Sequence, residues 1–512
     1  VKNFVVVGGG TAGFLTALYT RKMFPNDEVT VIHSKDIGVL GAGEGSSPNL
    51  VELFDYLEIP IDYLIKKTKA TIRNGTKFSN WSNEGDTFYT DFAKTIDQIN
   101  PYHMNSTINF REFMGPSIYD IVTICNDSDT NSLKKLIDEK NKVYFMHNSK
   151  IDLNLVPFYE FQRFSKFGIN FDAKLMASVL EQISNDRNIN VIDGKVKDFM
   201  LNDLNDVTKV IMENEETIDV DFIFDCSGFA RLLIGKLYKT DWISYSDRLP
   251  VDRAIAFFLE IDKNNIPTYT NATALEYGWM WQVPLQHRYG CGYAYDSSYL
   301  SEEDAKKEVE EKIGQEINIV KSFNFNPGVY KEIWKNNCLS IGLASGFLEP
   351  IDATSLSQVV TLLENFFLLK HKIFDNNDVS KKEINDYYVN QSSSMSDYVQ
   401  MHYLTNKTNS EFWLNFEENH PILDSLKDKI NKMDNTVLRN DAIRETFSEH
   451  DYYTVWHGMH RLNIDNIKSI YNENKLFLFS EWWNDQKNQE LKTVEDLVDH
   501  VQFLEYFGGL DS

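Results

Sequence analysis

The chain opens with a continuous apolar run, Phe4-Val5-Val6-Val7, then a glycine cluster, then an apolar run of helical spacing from Phe14. Unbroken apolar residues over strand length predict a strand buried on both faces, as in a parallel sheet. Val29-Thr30-Val31-Ile32 predicts the next strand, which ends at His33 and Ser34. Much later, Gly278-Trp279-Met280-Trp281-Gln282-Val283-Pro284 predicts an extended segment with both indoles on one face. Pro284 has no amide proton for a ladder, so it marks a strand end or an edge. Tyr289-Gly290-Cys291-Gly292-Tyr293-Ala294-Tyr295 reads as a second alternating strand, and the aromatic-rich C-terminal part reads as helical.

The first strand, the turn Gly8-Gly9-Gly10-Thr11-Ala12-Gly13 and the helix arrive in the order a dinucleotide site requires. Gly8 permits the tight turn, Gly10 lets a pyrophosphate approach the backbone, and Gly13 lets the helix pack on the strand, while the helix N-terminus, with Thr11 and Ala12, favours the phosphate charge. The ribose-binding acid expected after the second strand is absent, since His33 and Ser34 stand there. That disfavours a plain NAD dehydrogenase and weighs less against FAD. Leu40-Gly41-Ala42-Gly43-Glu44-Gly45-Ser46-Ser47-Pro48 is a glycine-rich loop before a helix that Ser46 or Ser47 is placed to cap.

Composition narrows the partners. With 512 residues, 42% hydrophobic and 13% aromatic, the chain can bury a large core in two or three structural units. A net charge of −25 argues against nucleic acid or an anionic membrane. Cys125, Cys226, Cys291 and Cys338 form no CxxC pair, which suggests a reducing compartment with neither a metal site nor a disulfide framework. No apolar run reaches transmembrane length, and the first residues already read as a strand, leaving no room for a signal peptide. The expectation is a cytoplasmic protein, with self-association left open.

The pairing of W-x-W-x-[IV]-P with an N-terminal GxGxxG resembles the flavin-dependent halogenases of the tryptophan halogenase family. Gly43-Glu44-Gly45-Ser46-Ser47-Pro48 resembles that family's flavin-side loop, and Leu57-Glu58-Ile59-Pro60 its Leu-Gly-Ile-Pro. Phe171-Asp172-Ala173 with Leu175 resembles its F-D-A-x-L, and Asp225-Cys226-Ser227-Gly228-Phe229 its D-C-[ST]-G-F. Leu339-Ser340-Ile341-Gly342-Leu343-Ala344 looks like the second flavin strand. The resemblance runs from Phe4 to at least Trp456.

It implies an α/β fold: a doubly wound FAD-binding core, an inserted β-rich substrate layer and a helical C-terminal region. The implied division is 1–385 for the flavin domain, with inserts at roughly 82–165 and 245–330, and 386–512 for a capping region. Cofactor-binding residues would be Gly8, Gly10, Thr11, Ala12, Gly13, His33, Gly43, Glu44 and Leu343.

At the catalytic positions the sequence departs from the family. The family lysine lies upstream of Lys-Phe-x-Asn-Trp; counting back from Lys77-Phe78-Ser79-Asn80-Trp81 places Arg73 there. Arginine stays protonated, so it would donate hydrogen bonds to hypohalous acid and not be halogenated. Lys69 and Lys77 are nearby substitutes, and on one strand Lys69, Arg73 and Lys77 would share a face; as plain chemistry, all three also read as solvated surface charge. Asp352 takes the place of the family glutamate after Glu349-Pro350, Ala353 that of a serine, and Thr354 and Ser355 fall where backbone amides help hold halide. Thr90 replaces a substrate-sandwiching histidine while Phe92 is kept; Tyr452, Tyr453 and Trp456 fall in the region that grips the substrate, although most such aromatics are core. Trp279 and Trp281 would keep substrate from the flavin.

The reading is a two-component halogenase. A separate reductase supplies FADH2, O2 and halide yield hypohalous acid, and an electron-rich indole or phenol is halogenated, with bromide or iodide favoured over chloride. The alternatives are a flavin monooxygenase and a flavin binder that has lost catalysis.

Overall fold

The computed structural model describes residues 1–38, 43–92, 132–143, 166–375, 377–436, 438, 446–470, 473–474, 477, 480–481 and 494–510. Residues 40–42 of the glycine-rich loop, most of the expected insert at 82–165, and Cys125 lie outside the described residues. The chain divides into two compact units, one of 1–70, 171–246 and 324–393, the other of 71–170, 247–323 and 394–512.

In the first unit the apolar run becomes the strand Asn3–Val7, parallel to Glu28–His33 on one side and Phe222–Asp225 on the other. Asn190–Asp193 and Cys338–Ser340 extend this parallel sheet, and Trp334–Lys335 adds an antiparallel edge. Phe4, Val5, Val6 and Val7 are buried, as the continuous apolar pattern requires of a strand covered on both faces. Helix Thr11–Met23 follows at once. Helix Ala173–Asp186 is capped by Asp172, whose carboxylate accepts from the amides of Lys174 and Leu175 at 3.0 and 3.1 Å. This is a doubly wound α/β core.

Two glycines let the first turn close. Gly8 has φ +127°, and a Cβ there would lie 2.0 Å from the Cys226 carbonyl oxygen. A Cβ on Gly13 would lie 1.9 Å from the Gly8 carbonyl oxygen. Both obstacles are backbone and cannot move aside. Ser47 precedes helix Pro48–Tyr56 as expected, but its hydroxyl bonds Asn49 Oδ1 at 2.5 Å and does not cap the helix.

The second unit is built on a seven-stranded sheet in the order Lys321–Asn324, Arg253–Leu259, Tyr289–Tyr295, Gly278–Pro284, Tyr269–Ala274, Gly75–Ser79, Thr87–Asp91. The tryptophan strand is therefore internal, and Pro284 closes it opposite Tyr289, so the proline marks an end and not an edge. Helix Glu302–Ile313 covers one face, where Ile255, Phe257, Met280, Cys291, Tyr293, Ala305 and Val309 form a core. The tryptophans point to the opposite face, by the period of two. Helices at Asp378–Tyr403, Asp424–Asn435, Glu449–Gly458 and Ile464–Ile470 make the later part of the chain helical.

Cys226, Cys291 and Cys338 are free and buried. Among the described residues there is no group of candidate metal ligands, and no helix is long and apolar enough to cross a membrane.

The close approach at the first turn sets an expectation for Gly13→Ala. It should lower stability by about 1–3 kcal/mol, read from chemical denaturation; a variant as stable as the parent would show that the helix can back away from the strand.

Candidate functional site

In the first unit the glycine turn leaves an open cradle. A Cβ on Gly10 would meet no heavy atom within 4 Å, and no side chain caps the helix that starts at Thr11. Uncapped amides and the positive end of a 13-residue helix suit a pyrophosphate, so these residues fit a dinucleotide cofactor. Ala12 faces Gly342, where a Cβ would lie 3.1 Å from the alanine methyl, so the turn Gly342–Ala344, with Leu343 at its centre, borders the cradle. His33 packs over Gly9, a Cβ on which would come within 2.5 Å of the His33 Cβ, and its Nε2 stands 3.7 Å from Glu181 Oε1. His33 thus closes over the turn at the position where the sequence lacks a ribose-binding acid.

Asp225 lies under this turn, fully buried. Its carboxylate accepts from the Ser227 hydroxyl at 2.6 Å and from the amides of Ser227, Leu233 and Ile234 at 3.1, 2.8 and 3.1 Å. Burial pushes its pKa up, against these hydrogen bonds. The D-C-S-G-F segment therefore works as a buried cap that fixes the chain beyond it.

The extended pair Glu44–Gly45 lies beside the turn Ile351–Ala353. Gly43, just before it, adopts φ +110°. In that turn Asp352 and Ala353 both hold left-handed conformations, φ 51° and 56°. Non-glycine residues held so cost about 1–3 kcal/mol each and cluster where function requires a fixed turn. The turn delivers the chain into helix Thr354–Leu368, whose N-terminus has no side-chain cap. The backbone amides of Thr354 and Ser355 thus open a helix suited to an anion. Asn49 Nδ2 ties this helix to helix Pro48–Tyr56, which follows the glycine-rich loop, by donating to Ser357 Oγ at 2.9 Å.

The second unit gathers the other candidates. Arg73 ends the short strand Thr71–Arg73, and Asn74 interrupts before Gly75–Ser79 begins. Lys69 sits in a left-handed turn, φ 52°. Lys69, Arg73 and Lys77 therefore do not share a strand face, because the chain is not one strand there. Nor is Arg73 a surface charge, being 2% exposed. Its guanidinium donates to Thr76 Oγ1 at 2.6 Å and Thr270 Oγ1 at 3.2 Å, and lies 4.9 Å from the centre of the Phe92 ring.

Thr270 in turn donates to Asn170 Oδ1 at 3.1 Å, Asn170 Nδ2 to Thr71 Oγ1 at 3.3 Å, and Thr71 Oγ1 to the Pro284 carbonyl at 2.7 Å. A chain of hydrogen bonds thus joins Arg73 to the tryptophan strand. Thr90 stands opposite Thr76, and Thr76 beside Thr270, on the sheet face that also carries Trp279 and Trp281. Lys77 points to the other face, where its ammonium pairs with Asp138 at 2.8 Å and Tyr89 also donates to that carboxylate.

Trp279 is buried, and its ring centre lies 5.9 Å from that of Trp281. Trp281 lies over Gly292, where a Cβ would fall 2.1 Å from its ring. Helix Glu449–Gly458 seats on the same face through Gly458, whose Cβ would lie 2.3 Å from the Phe88 ring. On that helix Tyr452 and Tyr453 are fully buried. Lys429 Nζ donates to the Tyr452 hydroxyl at 3.2 Å, and the Leu438 amide to that of Tyr453 at 3.2 Å. Trp456 Nε1 donates to Asp434 Oδ1 at 3.3 Å. These aromatics thus have internal partners as core residues do. Sequence reading passed over Thr76, Thr270, Asn170 and Asp138, which carry no local pattern and matter only through pairing.

Glu44 supplies a pH handle in the first unit. The residue is partly exposed, yet its carboxyl is enclosed, and burial pushes its pKa up from 4.5 to about 7; a bond from Thr11 opposes the shift and Asp172 adds to it. The folded state holds this proton where the unfolded chain has lost it, so this group's contribution to stability falls as pH rises from 4.5 to about 7. Above that window a carboxylate stands near the helix N-terminus that suits a pyrophosphate. Titration with FAD should give a Kd that rises several-fold from about pH 6 to about pH 8 in the parent and stays flat in Glu44→Gln. The same rise in both would remove Glu44 from the cofactor site.

The tryptophan halogenase family matches residues 3–469. Tryptophan 6-halogenase SttH from Streptomyces toxytricini is 28% identical over 445 residues, covering 84% of this chain and 83% of that protein. Tryptophan 7-halogenase RebH from Lentzea aerocolonigenes is 28% identical over 442 residues, covering 84% and 81%. Among solved structures, the flavin-dependent halogenase BrvH from Brevundimonas sp. BAL3 superposes with a TM-score of 0.80 at 24% identity, covering 100% of this chain and 99% of that one. A tryptophan halogenase from Shewanella frigidimarina NCIMB 400 gives 0.84 at 22%, covering 99% and 98%. The structural likenesses carry the fold. The match across nearly the whole sequence carries the family: the chain belongs to the tryptophan halogenase family of flavin-dependent enzymes.

Proposed function

We propose that the protein halogenates an electron-rich aromatic of indole or phenol type, using FADH2 from a separate reductase, O2 and halide. The observation that carries the reading is the buried guanidinium of Arg73, tied through Thr270, Asn170 and Thr71 to the tryptophan strand at the position the family gives to its catalytic lysine.

Bound reduced flavin with O2 supplies the two-electron oxidation that turns halide into hypohalous acid. The glycine turn and the first helix hold the pyrophosphate. The amides of Thr354 and Ser355 hold the halide. Arg73 donates hydrogen bonds to the oxygen of hypohalous acid, which draws electron density from the halogen as the ring attacks. The carbon–halogen bond forms as the oxygen–halogen bond breaks, and the ring proton passes to the departing hydroxide, which leaves as water. Because arginine remains protonated, it orients the acid without becoming a haloamine. Lys77 is held by Asp138 on the other face of its strand and serves the scaffold.

SttH, RebH and the Shewanella frigidimarina protein are named as tryptophan halogenases. Here Thr90 stands in place of the histidine that flanks indole in the family, which leaves a less enclosing wall. The reading therefore takes in other indoles and phenols besides tryptophan. Bromide and iodide are easier to oxidise than chloride, and an arginine–aspartate pair in place of lysine and glutamate favours them.

Mass spectrometry of an indole and phenol panel tests this, with FAD, a flavin reductase, NADH, O2, catalase and each halide in turn. The expected result is a halogen mass shift that requires the protein, larger with bromide or iodide than with chloride. Incorporation of oxygen in place of halogen would make the protein a monooxygenase. Consumption of reduced flavin with no product across the panel would count against the halogenase reading.

A further inference from the structure

The strand that carries Arg73 has, one residue earlier, an amide whose acceptor comes from far along the chain. Ile72 N donates to His500 Nε2 at 3.1 Å, and the other ring nitrogen, Nδ1, stands 2.9 Å from the Ile266 carbonyl oxygen. A carbonyl only accepts and an amide only donates. The partners therefore fix the tautomer, with the proton on Nδ1 and the lone pair on Nε2. The imidazole is fully buried, and burial pushes its pKa down to about 4. It thus stays neutral, and an acceptor, across the usual working range.

The segment that carries His500 is itself fixed. Asp499 caps the short helix His500–Phe503 by accepting from the amides of Val501 and Gln502 at 3.0 and 3.2 Å. Behind it, Val143 N donates to the Val498 carbonyl and His500 N to the Asn141 carbonyl, at 3.0 and 2.9 Å. On either side of Ile72, Thr71 holds the Pro284 carbonyl and the Asn74 amide holds the Thr268 carbonyl at 2.7 Å. Residue 500 lies beyond 469, where the family match stops.

We propose that His500 is a positioning residue for Arg73, a latch by which the segment past the family match sets the strand that aims the guanidinium. The proposal rests on the reading of Arg73 as the donor to hypohalous acid. Charged groups near the latch are Asp499 on its own helix, Lys142 bridged to Asp499 through the backbone, and Arg73 itself.

Two substitutions separate the two bonds of the ring. Asparagine at 500 can still reach the Ile266 carbonyl but not the Ile72 amide. The longer glutamine can offer its oxygen to Ile72. The readout is halogenated indole formed per reduced flavin consumed, measured with the full chain, reductase, FAD, NADH and bromide, alongside the rate of flavin oxidation. His500→Asn should lower the yield about fivefold or more with flavin oxidation unchanged, and His500→Gln should restore most of it. A parent-like yield in His500→Asn would overturn the latch, as would equal losses in both variants that track their melting temperatures. If the parent itself made no halogenated product, the halogenase reading would fail and take the proposal with it.

Discussion

The second unit must accommodate the charge of Arg73, a residue only 2% exposed. An ionised side chain leaves water only when its donors find acceptors, and removing those acceptors strands a buried charge. The hydroxyls of Thr76 and Thr270 meet that demand, and Asn170, Thr71 and the Pro284 carbonyl continue the chain. All five of these groups lie on different strands, so the polar row also fixes how the strands register. The threonines serve a second end, since their methyl groups and β-branching suit a sheet. Chemistry and scaffold thus share the same atoms.

The first unit solves a different problem, close approach of backbone to backbone. Gly8 and Gly13 leave no room for a side chain, whereas Gly10 opens onto empty space. That contrast separates glycines that let the fold close from one that leaves a ligand its place. The strained pair Asp352 and Ala353 lies at the start of a helix that has no side-chain cap. Such strain persists where the surroundings hold a turn in place, and here the bond from Asn49 to Ser357 anchors the helix that follows it.

What the sequence shows follows from range. The glycine turn and the alternating tryptophans are legible because each imposes a local condition: a positive φ at Gly8, or a period of two along Gly278–Pro284. The partners of Arg73 are not legible. Thr270 is 197 residues away, and His500 is 428 residues from Ile72. Nor does a pattern reveal that Asn74 splits one expected strand in two, which sends Lys77 to Asp138 and Lys69 into a turn. Charges four apart share a face only on an unbroken strand.

The central claim is that a buried arginine does here what a lysine does elsewhere in the family. The most direct measurement compares Arg73→Met with the parent, as halogenated product per reduced flavin, with melting temperature as the control for folding. Methionine is neutral and of similar length, so the burial cost is relieved and the fold should hold or gain stability. The account requires product to fall by about a hundredfold while reduced flavin is still oxidised. A methionine variant that halogenates as well as the parent would contradict it, and Arg73 would then be a structural residue.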